Sequence, residues 1–306
     1  MRKYVIPLVI SFVFLSCNRD VTTFNDIHFS FAFDSSQERL DNFGLPAEMP
    51  AGNAGQSPDM QLMSVHYIEL TEGPLVQLGD GVVLYTAPET NVGGANAIDF
   101  AASAVAGAGE EFIKLDLSRL PAGTYNYLRA SVAYQQFGVD FNLNNIPVIG
   151  DLPNQSGILA SFIGFNTFIT QFSLGGMDVA VNSNKEQGFW AFATQFSDPY
   201  SAYNAVYTGQ APAGATTVVN PIDATSPVPD GSCVITGAFA EPLVIEEGET
   251  RELYITLSFS TNQSFEWIDV DMNGEWDVDA SEPEATEQVV DMGLRGMIPT
   301  WEWRSE

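Results

Sequence analysis

The chain has 306 residues, 45% of them hydrophobic and 12% aromatic, a composition that excludes intrinsic disorder. Thirty-nine acidic residues against 11 basic ones give a formal net charge of −28, which repels nucleic acid and anionic lipid headgroups. Two cysteines exclude a disulfide-rich scaffold, and the length suits one large β domain or two smaller ones.

Residues 1–17, MRKYVIPLVISFVFLSC, have the build of a secretory leader. Arg2 and Lys3 form its positive start. Tyr4 to Leu15 form an apolar stretch shorter than the roughly 20 residues that a membrane helix needs. The end, Phe14-Leu15-Ser16-Cys17, resembles the lipobox of bacterial lipoproteins, with Phe14 standing where Leu is usual. The resemblance implies lipidation of Cys17 and anchoring in a membrane; the plainer alternative is an ordinary leader with a chance cysteine. Removal of Arg2 and Lys3 takes the charge from −28 to −30. With Cys17 acylated, Cys233 has no intramolecular partner. In the strand-like run SCVITGAF it reads as a small buried apolar residue.

Residues 18–26 read as a tether. Strand patterning begins at IHFSFAF, where Ile27, Phe29, Phe31 and Phe33 alternate with His28, Ser30 and Ala32. Residues 34–60 are loop-like, with a short helix as an alternative around SSQERLDNF. Strand-like runs then recur at 60–70, 82–86, 111–117 and 124–134, with Pro121 and Gly123 in a turn before the last. A second series follows: FGVDFNL, GILASFIGF, TFITQFSL, MDVAV, GFWAFAT, AVYTG and TTVVN. The chain closes with SCVITGAF, PLVIEE, TRELYITLSFS, SFEWIDV and EQVVDM. No segment holds a long helical period. Many short strands between Gly/Pro turns predict an all-β fold, an antiparallel β-sandwich of immunoglobulin or prealbumin type with long loops.

The charge-free stretch GILASFIGFNTFITQFSLGG, 157–176, reads as two buried strands rather than a membrane helix, because Asn166, Gln171 and its glycines interrupt it. An apolar hairpin that meets a partner is the alternative. The Pro/Gly-rich stretch 209–231 is a long crossover loop or a domain boundary.

The segment DVDMNGEWDVD, 269–279, concentrates the acids. Ile268 and Val270 fall on one strand face and Asp269 and Asp271 on the other. Asn273-Gly274 is a turn pair, so the chain folds back with its carboxylates gathered. Such charges repel by about 1 kcal/mol per close pair even in water, and a cation relieves this. Calcium suits best, being a hard ion that takes six to eight oxygens. Asp269, Asp271, Asn273, Glu275 and Asp277 occupy positions 1, 3, 5, 7 and 9, with Gly274 at 6. The pattern resembles the D-x-[DN]-x-[DN]-G loop of EF-hand and dockerin sites. It departs from them at position 12, where Ala280 replaces the bidentate Glu; Glu282, or Glu284, is the candidate closing ligand. The alternative is a solvated acidic turn.

Little else suggests chemistry. His28 and His66 are too few for an ordinary zinc or copper site. No phosphate loop or nucleophile elbow occurs. The 39 acids offer too many choices for a glycosidase carboxylate pair to be selected. Of five tryptophans, Trp190 and Trp267 read as core. Trp301 and Trp303 in PTWEW share one face, and are the candidate platform for a glycan.

The segments FLSC, RLPAGTYNYLRASVAY, SFEWIDVDMNGEWD and VVDMGLRGMIP together resemble surface lipoproteins of the Bacteroidota, and LDLSRLPAGTY looks like the strand-turn-strand element of prealbumin-like sandwiches in them. The resemblance implies an outer-membrane location, a lipid anchor and a β-sandwich. The expectation is a non-enzymatic, calcium-stabilised module that binds a glycan or assembles with an outer-membrane protein. The rival is a secreted hydrolase.

Overall fold

A computed structural model of the chain describes residues 25–197, 202–211 and 233–305. The expected leader with Cys17, most of the expected tether and the TTVVN run lie outside these residues.

The described residues form nineteen strands and three short 3-10 turns, with no α-helix. The first seven strands are β1 (Asp26–Asp34), β2 (Asn53–Gln56), β3 (Asp59–Thr71), β4 (Val82–Thr86), β5 (Glu89–Thr90), β6 (Ala97–Asp99) and β7 (Glu111–Asp116). The middle supplies β8 (Gly123–Ile146), β9 (Gly150–Phe162), β10 (Asn166–Leu174), β11 (Met177–Glu186), β12 (Phe189–Ser197) and β13 (Ala202–Gln210). The last third adds β14 (Cys233–Ile245), β15 (Glu252–Ser260), β16 (Phe265–Ile268), β17 (Asp277–Asp279), β18 (Val289–Met292) and β19 (Met297–Arg304). The fold is all-β and sandwich-like. It is not wholly antiparallel: β1 runs parallel to β15, β6 to β10, and β17 to β8.

No helix forms at SSQERLDNF. The Asp34 carboxylate accepts from the Ser36 amide, and Asp41 accepts from Phe43 and Leu45. These local side-chain bonds give the backbone an alternative to the helical ladder.

β8 organises the molecule. Its first half, Gly123–Val132, pairs with β14, and its second half, Tyr134–Ile146, pairs with β9. β3 lines the opposite edge between Tyr127 and Gly138. β13 and β14, which flank residues 212–232, therefore belong to one eight-stranded sheet.

Along its first half, this sheet packs on the four-stranded sheet β19-β15-β1-β7. The alternation in the sequence decides which side chains meet. Ile27, Phe29 and Phe31 of β1 and Leu253, Ile255, Leu257 and Phe259 of β15 all point inward and are completely buried. Fully burying each such side chain stabilises the fold by about 1.5–3 kcal/mol.

Along its second half the sheet is covered on both faces. Tyr134, Ala160 and Phe162 pack against Ile169, Phe172 and Leu174 of the β10–β11 hairpin. Phe137, Val139 and Phe141 point the other way, onto Phe265, Trp267 and Trp276. Double coverage accounts for the end of β9, where Leu159–Phe162 are buried; β10 is charge-free although Thr170, Gln171 and Ser173 face solvent. The stretch forms the end of β9 and all of β10, not a membrane helix. Among the described residues no helix is long and apolar enough to cross a membrane.

β8 has 24 residues, so at about 3.3 Å per residue, less its bends, it separates its two ends by roughly 60–80 Å. The start of the described chain lies at one end: Asn25 Nδ2 donates to the Glu249 carbonyl, and Ile245 pairs with Gly123. The acidic segment lies at the other.

Candidate metal centre

The acidic segment leaves β16 at Asp269 and returns as β17, which pairs in parallel with Asn142–Asn144 near the tip of β8. Gly274 takes a φ of +77°, as its place in the turn requires. The second left-handed residue is Met272, at +60°, and not Asn273.

Asn273 is the hub of the turn. Its amide donates to Asp269 Oδ1 (3.2 Å) and Asp271 Oδ1 (3.1 Å). Its side-chain amide donates to Asp271 Oδ2 (3.0 Å) and Asp277 Oδ2 (2.8 Å). Its Oδ1 accepts from the Glu275 amide at 2.6 Å. Gly274 N donates to Asp269 Oδ2 at 3.0 Å. The backbone thus winds around three aspartates.

The carboxylate that meets Asp269 and Asp271 comes from Glu287, which the sequence reading did not single out. Oxygens of Asp269, Asp271 and Glu287 lie within 4.8 Å of one another. Glu287 is only 4% exposed. The Val270 amide donates to its Oε1 (2.7 Å) and the Asp277 amide to its Oε2 (3.0 Å). Its backbone carbonyl accepts from the Trp276 indole at 3.1 Å. Burial, with the charges of Asp277 and Asp269 beside it, holds the Glu287 carboxyl above its ordinary range, against the pull of the two amides. Among the described residues, no Lys, Arg or His side chain forms an ion pair with Asp269, Asp271, Glu275, Asp277 or Glu287.

The other sequence-selected residues divide. Glu275 and Asp277 face the β8 tip: Asn142 Nδ2 donates to both, at 2.7 and 3.1 Å, and Asn144 Nδ2 donates to Asp277 Oδ1 at 2.9 Å. Asn145 Nδ2 reaches Asp279 Oδ2 at 2.6 Å. Glu282 is exposed and opens a 3-10 turn, its amide donating to Asp279 Oδ1; it is not among the three residues whose oxygens converge. The alternation Asn142-x-Asn144 was the available signal for the clamp.

Trp301 and Trp303 lie on the inward face of β19 with Met297 and Pro299, against the core of the first half. The Trp301 indole donates to the Glu241 carbonyl, and Arg251 lies 4.7 Å over the Trp303 ring. Cys233 is buried, and burial pushes its thiol up to about 12. His66 is buried against Glu89 (2.9 Å), and burial lowers its pKa despite that carboxylate.

Comparison with protein-family models, with curated proteins and with solved structures gave no match.

Proposed function

We propose that the chain is a non-enzymatic, lipid-anchored module of the outer membrane whose far end is a calcium-stabilised contact surface for assembly with another protein. The observation that carries this reading is the run of β8 from the N-terminal end of the described chain to the acidic segment. An anchor at Cys17 would hold one end at the membrane. The other end would project the acidic loop and the β8–β9 tip.

That far end has the chemistry of a contact surface. Val148 and Ile149 at the hairpin tip are exposed, as are Val270 and Met272 in the acidic loop. Val148 is β-branched yet holds a φ of +75°, a conformation that costs of order 1–3 kcal/mol and is commonest at functional sites. An all-oxygen donor set built from Asp269, Asp271 and Glu287, with amides already ordering the loop, suits calcium better than magnesium. The inward placement of Trp301 and Trp303 favours protein assembly over glycan binding.

The hydrolase reading would place its chemistry in a groove of about 590 Å³ lined by Gln56, Asp59, Gln61, Asp140 and Ser156. Asp140 accepts from the Ser156 hydroxyl at 2.8 Å there. Photo-crosslinkers at Val148 and Met272, with Thr300 on β19 as control, test the assembly reading in intact cells. A protein adduct at the tip that chelation of calcium abolishes supports it. Equal labelling at all three positions contradicts it.

A further inference from the structure

A second cluster lies on the solvent face of the β19-β15-β1-β7 sheet, far from the acidic loop. We propose that Asp26, His28 and Glu252 form a site for a zinc-class divalent transition metal.

The parallel register of β1 and β15 creates the cluster. Ile27 pairs with Leu253 and His28 with Tyr254, so Asp26 and Glu252 adjoin at the head of the two strands. Ile27, Phe29, Leu253 and Ile255 point into the core. Asp26, His28, Glu252 and Tyr254 therefore share the opposite face. One ligand atom from each of Asp26, His28 and Glu252 lies within 4.8 Å of the other two.

The imidazole is held as a metal-binding imidazole is held. Its ring stacks on Tyr254 at 4.3 Å and 4°. Nδ1 lies 2.6 Å from Glu111 Oε2, across on β7. A carboxylate on Nδ1 favours the proton there and leaves the lone pair of Nε2 for a metal. Nε2 is shielded from solvent and has no hydrogen-bond partner. It faces Glu252 Oε2 at 3.8 Å, too far for a hydrogen bond. Glu252 is fixed in turn by the Tyr254 hydroxyl at 2.9 Å, and Arg304 sits over the Tyr254 ring.

One nitrogen and two carboxylates suit zinc and its neighbours rather than calcium, which prefers oxygen alone. Three protein ligands leave a position for water. A cation already competes: Lys114 Nζ lies 2.6 Å from Asp26 Oδ2, and metal binding would displace it or use the other oxygen.

The test is a titration of residues 18–306 with Co2+, read by visible absorption, and with Zn2+, read by calorimetry. Both are done in saturating calcium so that the acidic loop is not available. One site per chain is expected, with affinity reduced at least 100-fold in His28→Gln. Glu111→Gln should weaken binding about 10- to 100-fold without touching the ion. Lys114→Met should tighten it. No binding at millimolar metal, or equal binding in His28→Gln, overturns the proposal and leaves His28 as an ion-pair partner of Glu111.

Discussion

Glu287 reaches back over 18 residues to stand beside Asp269, with both of its oxygens held by amides of the loop that Asp269 begins. Two carboxylates do not approach in a buried setting without a cost, and burial already presses Glu287 towards its neutral form. The arrangement is one that a divalent cation would relieve. Trp276, whose indole donates to the Glu287 carbonyl, lies close enough to report on such an ion. Terbium, a calcium substitute, should luminesce on tryptophan excitation. The signal should fall sharply in Trp276→Phe and in Glu287→Gln, and excess calcium should quench it.

The Asn142–Asn145 clamp makes a separate prediction. Replacing Asn142 by Ala removes donors to Glu275 and Asp277 and an acceptor for the Asn154 amide. Stability should fall by about 0.5–1.5 kcal/mol, since the lost partners, exposed Glu275 and Asn154 and half-buried Asp277, can turn to water. Calcium affinity should fall with it. Urea unfolding with and without calcium measures both.

Glu266 anchors the base of the same segment. It is 3% exposed and accepts from Arg39 (2.7 Å), Arg295 (2.9 Å) and Asn53 (2.6 Å). Burial pushes its carboxyl up, but the bonds from Asn53 and Arg39 and the charge of Arg295 outweigh this and hold it below its ordinary 4.5. A depressed folded pKa gives stability that is complete above about pH 4.5 and lost as pH falls through the folded value. Glu266→Gln should cost about 1–3 kcal/mol at pH 7: Arg39 and Arg295 lose a buried carboxylate, though Arg295 keeps Asp291 at 2.6 Å and Arg39 keeps the Asn262 carbonyl. It should also flatten the acid limb of the stability curve.

Strand content was legible because burial of alternate side chains writes period 2 into the sequence. β4 was read at its observed bounds, 82–86, and β1 and β15 with their inward faces correct. The unity of β8 was not legible, since TYNYLRASVAY and FGVDFNL differ in which face they bury and read as two strands. Asp269, Asp271 and Asn273 stood out through local spacing. Glu287 did not, because its partnership with Asp269 is made by tertiary folding through β17 and β18. The same limit hid the Asp26–His28–Glu252 cluster, whose strands are over 200 residues apart in sequence.

Trp301 and Trp303 supply a further check. With both rings against the core, Trp303→Ala should lower stability by about 2–3 kcal/mol, somewhat under the range for a fully buried ring. It should not change binding to glycans on an array. A glycan-specific loss at unchanged melting temperature would restore the sugar platform.

The most direct measurement is thermal unfolding of residues 18–306 in EDTA and in millimolar calcium, for the natural sequence and for Glu287→Gln. A site filled at 100 times its dissociation constant adds about 2.7 kcal/mol. The natural chain should melt at a clearly higher temperature in calcium, and Glu287→Gln should lose that rise. Identical melting with and without calcium would contradict the metal centre and leave 269–279 as an acidic turn clamped by asparagines.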